Sequence, residues 1–271
     1  MPELVKRVLS ALVAAPVFLI LTWLGGWVFA ATLVVLAVIV QLEIISMLEK
    51  QNVRVLKIAA LSMGVPVLLL GIVPGFAWSL FLVLLLATLT GEVFRTDKHP
   101  WHTLIATLAV AVMVPALFSG LLLLREMGND HTGFLLTLTL LLMVWANDVF
   151  AYFGGKLTGR RKLAPKISPS KTVEGFLWGF LGTLIMLFLC MHFLPDFPLN
   201  LAAALPFAVI VGFMGPAGDL AESKLKRASE VKDSSELIPG HGGMYDRFDA
   251  VLFSAPAAMA YFQVLAYFSI I

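Results

Sequence analysis

The feature that most constrains this chain is a succession of long apolar stretches. Most of them approach the roughly 20 residues that a helix needs to cross the hydrocarbon core of a bilayer. Nine can be drawn, at residues 8–24, 27–48, 55–73, 75–92, 103–124, 133–155, 173–194, 200–219 and 248–270. Strand alternation is absent from them, and a bilayer offers the backbone no water, so helices are expected. We therefore predict an all-α, polytopic integral membrane protein with about nine transmembrane helices.

The composition agrees with a membrane protein and argues against a soluble domain. Hydrophobic residues make up 60% of the chain and charged residues 13%, with a mean hydropathy of +0.94. Soluble domains average about 45–50% apolar and about 25% charged residues. Lys6 and Arg7 precede the first apolar stretch without a recognisable cleavage site after it, which predicts a retained signal anchor. The single cysteine, Cys190, lies in an apolar run and is expected to pack as a small hydrophobic residue.

The positive charges predict the orientation. When the loops between the nine stretches are assigned to alternate sides, every lysine and arginine except Arg125 falls on the side of the N-terminus. Positively charged loops stay in the cytoplasm, so the N-terminus is predicted to be cytoplasmic. The two polar stretches, at about 156–172 and 220–247, fall on that side as loops of a single transmembrane domain, 1–271.

The stretch from Asp219 to Asp249 holds the clearest chemistry. If the eighth helix continues into it, Asp219, Glu222, Ser223 and Lys226 share one face, and Asp246 and Asp249 are three residues apart at the start of the last helix. Carboxylate oxygens suit Mg²⁺, which usually binds substrate phosphates as well. The pattern predicts a metal site and a phosphate-binding site at the cytoplasmic ends of two helices.

Cations and glycines in the same stretch support that interpretation. The cations that could neutralise phosphate charge are Lys226, Arg227, Lys232 and Arg247, and Gly240, Gly242 and Gly243 would let the backbone approach a ligand. His241, between glycines, is interpreted as a substrate contact or as an ordinary turn residue. The plainer alternative is a solvated loop in which Asp219 caps a helix or pairs with a lysine. Ionisable groups at a membrane edge are costly and often functional, which favours a site.

A second stretch follows the sixth apolar segment. Ser168-Pro169 suits the N-cap and first position of a helix, and a helix N-terminus beside Lys171 would bind phosphate. The alternative is an interfacial anchor for the seventh helix. Glu43 and Glu92, near the ends of other helices, are interpreted as interfacial or inter-helix polar contacts of low functional weight.

These residues resemble a known signature. The motif in question reads Ser223-x-x-Lys226-Arg227-x₄-Lys232-Asp233-x₅-Pro239-Gly-His241-Gly-Gly-x-x-Asp246-Arg247-x-Asp249. It is similar to that of the phosphatidate cytidylyltransferases, also called CDP-diacylglycerol synthases, and Ser168-Pro-x-Lys171-Thr-x-Glu174-Gly175 resembles a second block of that family. The motifs cover about 60 residues of the C-terminal half. The sequence departs from the family where Val149 follows Asp148 and where Pro216 precedes Gly218-Asp219.

The resemblance implies an enzyme that transfers a cytidylyl group from CTP to phosphatidate. It implies a homodimer of nine-helix subunits in the bacterial inner membrane, with a Mg²⁺-dependent site facing the cytoplasm and no nucleic-acid partner. Metal binding is implied for Asp219 and Asp246, with a monovalent cation such as K⁺ in a second position, and Asp249 joins them as a third metal ligand. Catalytic roles are expected for Asp219, Asp246, Lys226 and Arg227. Substrate contacts are expected for Ser168, Lys171, Ser223, Lys232, Asp233, His241, Gly242, Gly243 and Arg247.

Three other functions stay open on the sequence. A paralogue could act on another lipid phosphate, and an ion-coupled transporter could use the intramembrane carboxylates. A related CTP-dependent lipid kinase is possible on fold grounds, although it would not be expected to carry the full signature. The acidic residues gather at one face of the membrane and not at its middle, which favours the transferase.

Overall fold

The computed structural model of the chain consists of helices and one small hairpin. It describes residues 3–96, 98–235, 237 and 242–268, and only the backbone of residues 3–11. In this part of the chain the helices are α1 (Glu3–Leu24), α2 (Gly26–Lys50), α3 (Lys57–Leu69), α4 (Pro74–Val93), α5 (Pro100–Arg125), α6 (Asp130–Thr158), α7 (Val173–Phe193), α8 (Leu201–Ala228) and α9 (Tyr245–Tyr267); the strands are β1 (Lys162–Ala164) and β2 (Ser168–Thr172).

Local sequence explains where several helices begin. Pro74 and Pro100 occupy the first turns of α4 and α5, where a missing N–H costs nothing because the group would have no intrahelical partner. Asn129 and Asn200 cap α6 and α8, each accepting a hydrogen bond from the backbone N–H three residues later. Thr172 caps α7 in the same way through Gly175.

Seven of the described helices, α2 and α4 to α9, are long and apolar enough to cross a membrane. The membrane class predicted from composition is therefore supported. α3 has only 13 residues, about 20 Å of helix, and the described side chains of α1 contribute a shorter apolar stretch. Each predicted apolar segment corresponds to one helix, but a count of nine spans and a cytoplasmic N-terminus remain predictions.

The polar stretch before α7 differs from the prediction. Ser168 and Pro169 do not begin a helix; they lie in β2, which pairs antiparallel with β1. The helix begins five residues later, at Val173, with Thr172 as its N-cap. The residue that precedes a proline is biased toward extended backbone, which favours a strand at Ser168. The hairpin is the exception to the predicted all-α class among the described residues.

The site is positioned by two close helix pairs. α6 packs against α7 so tightly that a β-carbon at Gly154 would lie 2.1 Å from the Trp178 ring, and a buried hydrogen bond of 2.9 Å joins Asn147 to Thr183 across this pair. α8 packs against α9 with Gly218 against the backbone of Asp249. α5 lies against α9, and its Phe118 belongs to the buried core. The polar ends of α6, α8 and α9 are thereby brought together.

Candidate active site

Three carboxylates from two helices converge at the end of the bundle that carries the polar loops. Asp219 and Glu222 lie one turn apart on α8, and Asp249 lies near the start of α9. One oxygen atom of each lies within 4.8 Å of the other two. Glu222 is buried, whereas Asp219 and Asp249 are partly accessible. We call these three residues the acidic cluster; carboxylates this close repel one another, so a cation among them is favourable.

Two lysines flank the acidic cluster. Lys171, at the end of β2, forms an ion pair with Asp219. The buried ammonium of Lys226 lies 2.7 Å from Glu222 and 2.5 Å from Asp246. The β-hairpin therefore positions a residue of the site, because it places Lys171 against Asp219 on α8.

The carboxylate of Asp246 adjoins the acidic cluster through Lys226, which it shares with Glu222, but its other donors come from the chain between α8 and α9. Its Oδ1 accepts from Lys226, and its Oδ2 accepts from the backbone N–H of Ser234 at 2.9 Å, from the Ser234 hydroxyl at 2.6 Å and from the Gly243 N–H at 2.8 Å. The predicted ligand trio of Asp219, Asp246 and Asp249 is thus not the trio that the structure brings together. Glu222 takes the place of Asp246, because it lies one turn from Asp219 on α8.

A cavity of about 420 Å³ opens beside Asp246 and Asp249. Its polar wall also includes Asp148 and the exposed side chain of Arg247. Its apolar wall comes from α1, α6 and α9: Ala14, Ala15, Phe18, Leu141, Val144, Trp145, Phe248, Ala250 and Val251 among others. An apolar pocket with charged groups at one end suits an amphiphile with an anionic headgroup.

Other predicted site residues lie close by. Ser223 donates a hydrogen bond to Asp219 at 3.3 Å. Arg227 is exposed, and its guanidinium lies 3.5 Å from the Ile167 carbonyl oxygen and 3.3 Å from that of Val231. Ser168 is half-buried in β2. Arg227 therefore links the end of α8 to the hairpin.

The remaining predicted residues lie between α8 and α9, at residues 229–244, which we call the segment before α9. Gly242 has a φ of +76°, which favours glycine, and Gly243 donates to Asp246. Lys232 and Asp233 are exposed and line a second cavity, against α2, instead of meeting the acidic cluster. His241 lies outside the described residues, so its expected substrate contact stays a prediction.

Two acidic residues have larger roles than the sequence suggested. Glu43 on α2 is buried, and its carboxylate accepts four hydrogen bonds from residues 234–245. Glu174 accepts hydrogen bonds from the backbone N–H groups of Arg160 and Arg161, which anchors the start of the hairpin. The sequence feature that could have identified Glu43 is an ionisable residue in an otherwise apolar helix, which often marks a functional position.

Comparison with known proteins identifies the family of the chain. The sequence model of the cytidylyltransferase family matches residues 5–265. A phosphatidate cytidylyltransferase of Bacillus subtilis is 32% identical over 284 aligned positions, which cover 99% of this chain and 100% of the relative. One of Thermotoga maritima is 38% identical over 187 residues, covering 65% of this chain and 67% of the relative. The uncharacterized protein YnbB of Escherichia coli is 37% identical over 181 residues, 66% of this chain and 60% of its own length. The resemblance drawn from the signature is confirmed.

Proposed function

This chain belongs to the cytidylyltransferase family and is a nucleotidyltransferase, and we propose that it transfers the cytidylyl group of CTP to phosphatidate in phospholipid biosynthesis. The products are CDP-diacylglycerol and pyrophosphate. The observation that carries the proposal is the meeting of the acidic cluster, two lysines and an apolar-walled cavity at one end of the bundle.

The donor set of the acidic cluster fits Mg²⁺. Three carboxylate oxygens lie within 4.8 Å of one another, and Mg²⁺ is commonly held by a few carboxylates together with substrate phosphates. We assign Asp219, Glu222 and Asp249 to hold it. When bound, the ion supplies positive charge that offsets the charge of the triphosphate and of the leaving pyrophosphate. A role for Asp246 as a ligand, and a second cation such as K⁺, stay predictions; a ligand role would require Asp246 to release Lys226.

The lysines are placed to bind phosphate. Lys171 pairs with Asp219, Lys226 pairs with both Glu222 and Asp246, and each lysine can exchange a carboxylate partner for a phosphate oxygen. Arg247, exposed on the wall of the cavity, adds a third cation on the same side. Charge-assisted hydrogen bonds from such groups are among the strongest in proteins.

The chemistry needs positioning more than it needs proton transfer. The second pKa of a phosphate monoester is about 6, so the phosphatidate phosphate is already an anionic nucleophile at neutral pH. Its oxygen forms a bond to the α-phosphorus of CTP while the bond to the bridging oxygen of pyrophosphate breaks. The chain's residues then act by holding the two anionic substrates together and by excluding water, and no general base is required.

The cavity between α1, α6 and α9 suits the lipid substrate. Phe18 and Trp145 lie on its apolar wall, and Asp148, Arg247 and Asp249 lie at its polar end. Phosphatidate would keep its acyl chains in the bilayer and place its headgroup beside the acidic cluster. We further propose that this end of the bundle faces the cytoplasm of a bacterial cell, and that the protein forms the homodimer expected from the resemblance.

The test uses purified protein in detergent micelles with phosphatidate, Mg²⁺ and CTP labelled at the α-phosphate. Wild-type protein is expected to move label into the lipid phase. Asp249→Asn should raise the Mg²⁺ concentration needed for half-maximal rate, because it weakens the metal site, and Asp246→Asn should lower the rate at every Mg²⁺ concentration. Asp196→Asn, an exposed position in the loop between α7 and α8, is the matched control.

Either of two results would count against the proposal. Full activity of Asp246→Asn would contradict the role of the segment before α9, and an unchanged Mg²⁺ requirement of Asp249→Asn would contradict the metal assignment. If folded wild-type protein transfers no label even with K⁺ supplied, the substrate is another lipid phosphate, and a screen of phospholipid acceptors and nucleotides identifies it.

A further inference from the structure

The carboxylate of Glu43 is the meeting point of α2, the segment before α9, and α9 itself. Its Oε1 accepts from the Ser235 hydroxyl at 2.6 Å and from the Met244 N–H at 2.8 Å. Its Oε2 accepts from the Ser234 hydroxyl at 3.1 Å and from the Tyr245 N–H at 2.8 Å. Four donors from a segment about 200 residues away thus converge on one buried side chain.

Two of these donors are backbone N–H groups at the start of α9. The first N–H groups of a helix have no partner within the helix, and a carboxylate there also interacts favourably with the helix dipole. α9 has no side-chain cap of its own, since Met244 supplies none. Glu43 therefore caps α9 from another helix and fixes the position of its first turn.

The helix that carries Glu43 is itself held in place. The buried side chain of Gln41 donates hydrogen bonds to the carbonyl oxygens of Ala60 on α3 and Val110 on α5, at 3.2 and 3.1 Å. Glu43 follows Gln41 by two residues on α2, so its carboxylate is mounted on a packed part of the bundle and not on a mobile loop.

Glu43 is also linked to Asp246 through one serine. The Ser234 hydroxyl lies 2.6 Å from Asp246 Oδ2 and 3.1 Å from Glu43 Oε2. A hydroxyl has one proton to donate, so the two carboxylates share a single donor. Gly243 leaves room for this arrangement, because a β-carbon there would lie 1.9 Å from the Ser234 hydroxyl and 2.5 Å from Glu43 Oε1. Ser234 therefore lies between the two carboxylates.

We propose that Glu43 is a positioning residue for the cytidylyl transfer. Both of its carboxylate oxygens are taken by donors from the segment before α9 and from the first turn of α9, so it acts through that turn, which orients Asp246 and Asp249 relative to α8. The role in the reaction rests on the proposed function, whereas the effect on α9 can be measured without any substrate.

Glu43→Gln is the sharpest perturbation, because it keeps the shape of the side chain. Each oxygen of Glu43 receives one backbone N–H, from Met244 or from Tyr245. Whichever oxygen becomes the amide nitrogen, one of these N–H groups then faces another donor. Glu49→Gln is the matched control, since Glu49 lies on the same helix and pairs with Lys57, away from α9.

The first readout is amide hydrogen exchange in detergent. Glu43→Gln should speed exchange at Met244 or Tyr245 at least tenfold, whereas Glu49→Gln should leave both unchanged. Unchanged exchange in Glu43→Gln would overturn the proposal whatever the substrate is. If wild-type protein shows no cytidylyl transfer, the proposed function fails and the exchange result still stands.

The second readout is kinetic. In Glu43→Gln, kcat per folded molecule should fall at least tenfold while the KM for CTP changes less than threefold, because displacing reacting groups by a fraction of an ångström slows the chemical step. A purely structural role would lower the folded fraction and leave kcat per folded molecule at the wild-type value, which would overturn the proposal.

A milder variant covers the case in which Glu43→Gln does not fold. Ser235→Ala removes only one of the four hydrogen bonds to Glu43, and Ser235→Thr retains the hydroxyl. Ser235→Ala should lower kcat severalfold with Ser235→Thr close to wild type. Equal kcat values for the two Ser235 variants and wild type would contradict the proposed role.

Discussion

The contact between Gly218 and Asp249 allows the geometry of the acidic cluster to be tested without changing any charge. A β-carbon at Gly218 would lie 2.3 Å from the Asp249 carbonyl oxygen, whereas ordinary contact begins at 3.4 Å. The near atom is backbone and cannot swing away, so Gly218→Ala requires α8 and α9 to separate by about 1 Å. Asp219 follows Gly218 directly, so the separation moves Asp219 away from Asp249.

Both stability and rate should respond to Gly218→Ala. Overpacking of this kind costs about 1–3 kcal/mol, and the better helix propensity of alanine offsets about 1 kcal/mol of that, so the net destabilisation should be about 0–2 kcal/mol. A misplacement of about 1 Å lowers the rate by about 100-fold. The effect on activity should therefore be much larger than the effect on unfolding temperature.

Gly215→Ala is the matched control, one turn earlier on the same face of α8. Its β-carbon would lie 3.6 Å from the Ser254 hydroxyl and 3.8 Å from the Ala250 β-carbon, which is ordinary contact. The variant should retain wild-type activity, and its stability should equal that of wild type or exceed it by up to about 1 kcal/mol, because alanine has the better helix propensity. The assay is transfer of labelled cytidylyl groups into lipid, with thermal unfolding in detergent measured on the same samples. Activity of Gly218→Ala within threefold of wild type would refute the reasoning that the distance between α8 and α9 determines the geometry of the acidic cluster.

Two further predictions concern single cations. Lys171→Met should lower activity at least tenfold, because Asp219 loses its ion pair and the substrate loses a phosphate contact. Lys166→Met, at an exposed position of the same hairpin, should retain activity. Equal rates of label transfer for the two variants would contradict the role of Lys171. Arg125→Met should lower stability by about 3 kcal/mol, because it removes a buried guanidinium that donates to the carbonyl oxygens of Thr22 at 2.7 Å and Trp23 at 3.0 Å, and each buried polar group left without a partner costs about 1–3 kcal/mol. Thermal unfolding checks it, and an unchanged midpoint would show that Arg125 does not clamp α1 to α5.

Several parts of the site were predictable because they depend on local pattern. The i, i+3, i+4 spacing on one helix places Asp219, Glu222, Ser223 and Lys226 on one face, and α8 does continue through all of them. The helix positions follow from apolar stretches that have few alternatives in a bilayer. Lys171 was predicted to bind phosphate from a helix N-terminus. In the structure Lys171 directly precedes Thr172, the N-cap of α7, so a helix N-terminus does lie beside it. The strand that carries Lys171 was not predicted, because the pairing of β1 with β2 depends on two segments and is not visible in either one.

By itself, the sequence determined the membrane class, the family and the residues that carry charge into the site. These are properties of hydropathy and of fixed spacing along the chain. Only the tertiary structure decided how the carboxylates divide: Glu222 with Asp219 and Asp249 in the acidic cluster, Asp246 with Lys226 and Ser234, and Glu43 at the start of α9. A carboxylate's role depends on the donors and charges within a few ångströms of it, and those neighbours come from helices that meet only when the bundle packs.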